Sequence, residues 1–140
     1  MNIYEQASEQ AMIDNQQQVL DRKVRLDLLK SRERLLIEKL DNLGVKYEKS
    51  KDYRFNEEDF MNRKYTFIIY DVYLYLEKVK DGYGQMNYLT EEIELKENGS
   101  YKFGREEYSP ESDDLDKMIK SITEKVISTT KYYTRKKLRQ

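Results

Sequence analysis

Hydrophobic positions recur at helical spacing over the first third of the chain, and they do so on two sides at once. From Met12 to Leu43 there is no Gly or Pro, and Gly44 follows as a stop. One stripe keeps heptad spacing: Met12, Val19, Leu26, Leu29, Leu36, Leu40 and Leu43. A second lies nearly opposite, with Leu20, Val24, Leu28 and Leu35. A surface helix needs one apolar face, so two such faces predict a helix held between two surfaces, one of which can belong to another molecule. Unbroken, this helix spans about 48 Å at 1.5 Å per residue. Residues 1–11 ahead of it are expected to be frayed or loosely docked.

The pattern then changes period. Val45 to Phe55 reads as a short edge strand or an ordered loop, and Asn56-Glu57-Glu58-Asp59 as a helix N-cap with an acidic first turn. The most apolar run, Tyr65 to Leu76, is β-branched and aromatic and predicts a strand. It would place Thr66, Ile68, Tyr70, Val72, Leu74 and Leu76 on one face. Tyr65, Phe67, Ile69, Asp71, Tyr73 and Tyr75 would share the other. The rival is one helix from Glu57 to Lys80, capped by Asn56 and stopped at Gly82. Asp81-Gly82-Tyr83-Gly84 and Asn98-Gly99 are turn signals. The second lies between two alternating runs, Glu92–Lys96 and Ser100–Gly104, and predicts a hairpin. Ser109-Pro110-Glu111 has the form of a helix start. From Leu115 through Met118, Ile119, Ile122 and Val126 to Tyr133 a single apolar stripe runs along that helix. The expected architecture is one α+β domain over residues 1–140. It has a long N-terminal helix (12–43), an antiparallel meander of three or four strands (45–106) and a C-terminal amphipathic helix (110–138), in the order αβββα.

Composition narrows the chemistry more than it names a function. The chain has 140 residues, enough for one core. Its 26 basic and 27 acidic residues nearly cancel, so bulk charge selects no partner. It contains neither Cys nor His. That removes disulfides, thiolate chemistry, the commonest transition-metal ligand and the commonest general base, and no cofactor or metal is expected. No run is apolar enough to span a bilayer, and MNIYEQASEQ lacks a secretory pattern, so a cytoplasmic location and no membrane partner are expected. Abundant Lys, Asn, Ile and Tyr without Trp suggest AT-rich coding DNA, as in a low-GC bacterium or its phage.

Four features are candidates for recognition or chemistry. The first is the heptad stripe with its basic flanks, where Arg25, Leu29, Arg32, Leu36, Lys39, Leu40 and Leu43 are the candidate partner-binding residues. Lys23 and Lys30 flank it on one side and Arg25, Arg32 and Lys39 on the other. A simple parallel homodimeric zipper would therefore oppose like charges; the homodimer alternative passes instead to the Leu20–Leu35 stripe. The bland alternative has one stripe packing on the sheet and the other on the last helix. The second feature is the basic tail, Lys131, Arg135, Lys136, Lys137 and Arg139, which with the basic first helix suits phosphate contact. The αβββα order is that of double-stranded RNA-binding domains, but those begin the second helix with basic residues and this chain begins it with acids. The third is the acidic stretch from Glu106 to Asp116, a candidate for divalent cations or for imitating a phosphate backbone.

The fourth is Asp71 with Glu94-Leu95-Lys96, which resembles the Asp…Glu-x-Lys signature of restriction-type nucleases. That resemblance implies Mg²⁺ held by Asp71 and Glu94 and water oriented by Lys96. It covers two short segments, and a hairpin follows Lys96 where the family continues into a helix. The expectation drawn from all this is a non-catalytic binding protein that docks on and modulates a larger protein. A phage or mobile-element inhibitor of nuclease-based host defence fits its composition. A nucleic-acid accessory protein and the Mg²⁺ nuclease are the alternatives.

Overall fold

The structure, a computed structural model, describes residues 2–50, 58 and 68–140. Helix α1 runs from Ile3 to Leu43, starting nine residues earlier than its apolar stripes predict. The reason is local. Asn2 accepts from the Glu5 backbone N–H at 2.9 Å and donates to the Glu5 carboxylate at 3.2 Å, a reciprocal cap that secures the first turn. Ala, Gln and Glu then propagate a helix without any apolar face. At the other end Gly44 takes a left-handed φ of 73° and donates to Asp41, closing the helix as expected.

The described strands form one antiparallel sheet in chain order: β1 Tyr47–Lys49, β2 Ile68–Lys80, β3 Met86–Leu95, β4 Tyr101–Phe103 and β5 Glu111–Ser112. The α+β order is as expected, with five strands rather than three or four. Of Val45 to Phe55, read as an edge strand or an ordered loop, Tyr47–Lys49 form β1 and residues 51–55 lie outside the described residues, whereas β2 replaces the rival helix over Ile68–Lys80. Of the expected strand, Tyr65 to Phe67 lie outside the described residues, as does the Asn56–Asp59 cap apart from Glu58. Asp81 builds the β2–β3 turn by accepting from the N–H groups of Tyr83 and Gln85 and from the Asn87 amide. Asn98 builds the β3–β4 turn by accepting from Ser100, and Gly99 supplies the positive φ of 86°.

The last helix, α2, spans Leu115–Leu138 and does not begin at Pro110. Glu111 and Ser112 pair instead with Lys102 and Tyr101, and Phe103 N–H donates to the Pro110 carbonyl. Asp114 takes the N-cap role, accepting from Asp116 and Lys117. Strand pairing takes the expected Ser109-Pro110-Glu111 start out of the helix.

Both helices lie on one face of the sheet. Ile68, Tyr70 and Val72 of β2, Ile93 and Leu95 of β3, and Tyr101 and Phe103 of β4 form that face. They pack against Leu26, Leu29, Leu36 and Leu40 of α1 and Met118 and Ile122 of α2. The two helices do not sandwich the sheet. A bulge in β2 between Tyr73 and Tyr75 also breaks the simple alternation. Tyr75 turns to the helical side and stacks on Tyr133 at 5.3 Å, whereas Leu76 is exposed.

Candidate functional site

From Leu26 to Leu40 the heptad stripe faces the chain's own core, not solvent. Leu29, Leu36 and Leu40 are at most 1% exposed inside the chain's own core, and Leu43 is half-buried. The cations on its rim serve the same packing. Arg25 lies 4.0 Å from Glu97, Lys39 lies 3.5 Å from Asp116, and Arg32 donates to the Asp113 carbonyl at 2.8 Å. Together they tie α1 to the β3–β4 hairpin and to the start of α2. Glu33, on the same side of α1, is a partner for the sheet. Its carboxylate accepts from the Tyr70 hydroxyl at 2.6 Å and from Lys49 at 3.2 Å. Burial, reinforced by this bond to Glu33, raises the Tyr70 phenol well above its ordinary pKa. Tyr101, fully buried, donates to the Arg32 carbonyl at 2.8 Å.

The opposite stripe is the one left open. Leu20, Val24, Leu28 and Leu35 are all exposed, Val24 by 68%. The N-terminal half of α1 is open on every side. Residues 3–21 are exposed throughout, and the first buried side chain is Leu26. Residues 3–25 thus form an arm of about 35 Å at 1.5 Å per residue. It displays Tyr4, Met12, Ile13, Val19 and Leu20 to solvent. Sequence reasoning missed this arm because it took residues 1–11 as loose; the Asn2–Glu5 spacing was the available signal.

The remaining candidates separate. In the basic tail, Lys137 is engaged with Glu77 at 2.7 Å, which lowers the Glu77 pKa and raises that of Lys137. Lys131 is exposed on the same helix, whereas Arg135, Lys136 and Arg139 surround the exposed ring of Tyr132 in a shallow depression at the end of α2. Tyr73 and Tyr75, expected on one face of the strand, are separated by the β2 bulge. Tyr73 stays beside Tyr88 and Lys46, whereas Tyr75 has crossed to α2.

Three of the acids of residues 106–116 have structural roles: Glu111 pairs with Lys96, Asp114 caps α2, and Asp116 meets Lys39. Asp71 is opposite Glu92 in register, and Arg105 reaches both, at 3.7 and 3.4 Å. Glu94 is opposite Ile69 and Lys102, two pairs further along, so the Asp71–Glu94–Lys96 set shares a sheet face but each charged end has a different neighbour. Among the described residues no group of three or more carboxylates is placed to hold a metal ion, and no helix is long and apolar enough to cross a membrane. Compared with protein families, with curated proteins and with solved structures, the chain matches none.

Proposed function

We propose that this chain is a non-catalytic binding protein that docks onto a larger protein through the projecting half of α1 and modulates it. The observation that supports this reading is the arm itself. Most helical stability in proteins comes from the tertiary packing of an apolar face, yet residues 3–25 precede the first buried side chain and still carry large apolar groups. Tyr4, Met12 and Val19 continue the line of the core stripe beyond the domain, a face suited to an apolar groove on a partner. An inhibitor of nuclease-based host defence is the specific form of this proposal that composition suggests. The test is capture of partners from a lysate of the source organism by the wild type and by Met12→Glu/Val19→Glu. Selective partners should be lost with the variant while thermal unfolding of the domain is unchanged. Equal capture by both proteins would refute docking through the arm.

A second reading has one observation in its favour, the exposed Tyr132 ring set among Arg135, Lys136 and Arg139. Cations around an open aromatic ring suit single-stranded nucleic acid. Fluorescence anisotropy of labelled DNA and RNA, with Mg²⁺ and at two salt concentrations, tests it. Affinity that falls steeply with salt and drops on truncation after Tyr133 supports contact, and loss of label size in the same assay reports cleavage.

A further inference from the structure

We propose that two copies of this chain pair through antiparallel α1 helices crossing at Val24. The inference is independent of docking on another protein, because it uses the outward stripe and leaves the Tyr4–Met12–Val19 face free. It rests on three properties of α1 that agree.

The first is shape. Ile13, Leu20, Val24, Leu28 and Leu35 all lie on the side of α1 away from the core, and all are exposed by about half or more. Their steps along the chain are 7, 4, 4 and 7, so the set is symmetric about Val24. A twofold axis through Val24 therefore sets Val24 on Val24, Leu20 on the partner's Leu28, and Ile13 on the partner's Leu35. Gln17 meets the partner's Ser31, so the polar gaps in the stripe also coincide. Such a self-complementary patch is what an isologous interface requires.

The second is charge. Residues 2–21 carry Glu5, Glu9, Asp14 and Asp21 and no Lys or Arg. Residues 22–34 carry six bases against only Asp27 and Glu33. An antiparallel pair lays the acidic half of each helix along the basic half of the other, whereas a parallel pair stacks like on like. The flanks agree in detail, because antiparallel helices bring each flank against its own counterpart. Asp14 comes beside the partner's Arg32, Asp21 beside the partner's Arg25, and Asp27 beside the partner's Lys23. The Arg25–Glu97 contact within the chain is long, at 4.0 Å, and compatible with sharing that cation; Arg32 donates to the Asp113 carbonyl at 2.8 Å and has further guanidinium N–H groups to offer the partner's Asp14.

The third is access. Among the described residues, the core lies on the Leu26–Leu29–Leu36–Leu40 side of α1, and the β3–β4 turn approaches the outward stripe at Leu28 through Gly99. A second helix can run the length of the outward stripe, about 33 Å between Ile13 and Leu35, and each arm then gains the tertiary support it lacks alone.

The chain has no cysteine, so single cysteines can map the register on the full-length protein. Sedimentation equilibrium should give twice the chain mass of 17.0 kDa. A short thiol-to-thiol cross-linker should join Val24→Cys to itself. Leu35→Cys should fail to join itself, because its copies sit about 33 Å apart, but should join Ile13→Cys in a mixed sample. Val24→Glu should give a monomer whose thermal unfolding matches that of the wild type at the lowest protein concentrations, since Val24 is exposed in the single chain. A monomer at all concentrations overturns the proposal, and so does self-cross-linking of Leu35→Cys, the mark of a parallel pair. Neither outcome touches the lysate experiment with the Met12/Val19 face, so the two readings fail separately.

Discussion

Leu35 and Leu36 are neighbours in sequence on opposite sides of α1, and truncating each measures which stripe belongs to the core. Leu36 is fully buried within the sheet–helix core. Leu36→Ala removes roughly three methylene equivalents, about 2.4 kcal/mol at 0.8 kcal/mol each. The cavity left behind raises the cost to about 3 kcal/mol, inside the range for such truncations. Leu35 is 48% exposed. Its removal leaves no enclosed cavity and should cost less than about 1 kcal/mol. Urea unfolding followed by far-UV circular dichroism reads both, as a lower midpoint with an unchanged slope. A domain holding about 5–15 kcal/mol still folds with the Leu36 truncation. The series is run at several protein concentrations, because Leu35 also belongs to the proposed pairing surface. A loss at Leu35 that grows with concentration reports pairing, not packing. Equal losses at the two positions at the lowest concentration would refute the assignment of the heptad stripe to the core.

Other consequences are as direct. Tyr70→Phe removes the donor to the Glu33 carboxylate, and should cost about 1.5–3 kcal/mol by equilibrium unfolding, since the bond is to a charged group. Tyr70 and Tyr101 both have folded-state pKa values raised by burial. The unfolded chain therefore ionises first, and the stability these phenols contribute is fully present below about pH 10 and lost as pH rises beyond it. A thermal midpoint that falls above that pH, with a shallower fall in Tyr70→Phe, is the expected result; an identical profile for the variant contradicts it. Asp114→Ala should cost about 1 kcal/mol as a lost N-cap, whereas Ser109→Ala should leave the helix content unchanged. Gly99→Ala should cost about 1 kcal/mol from its positive φ alone, because the added Cβ would meet Leu28 only at an ordinary 3.7 Å.

The candidate surfaces were less legible than the elements. The tail cations and the two apolar stripes of α1 were readable as features, but their neighbours were not. Arg25, Arg32 and Lys39 looked like the rim of a docking site because the chain alone does not show Glu97, the Asp113 carbonyl or Asp116 beside them. The arm of residues 3–25 was hidden for a different reason. Polar helices have no apolar period, and only a cap marks where they begin.

What the sequence by itself determined is what short-range physics decides. The uninterrupted run to Gly44 made a helix, the aromatic and β-branched run made a long strand, Asn98-Gly99 made a hairpin, and the Leu115–Tyr133 stripe made a second helix. What only the tertiary structure decided is which faces these elements turn inward. The two stripes of α1 are both rich in leucine, and burial alone favours either. The choice went to the stripe whose polar groups meet partners far away in the chain. Glu33 accepts from Tyr70, 37 residues on, and the Arg32 carbonyl accepts from Tyr101, 69 residues on. The same holds for Glu111, a good helix starter held in a strand by Lys102 and Lys96. Periodicity says that a face must be covered; only complementarity across the fold says what covers it, and it left the Leu20–Leu35 face open.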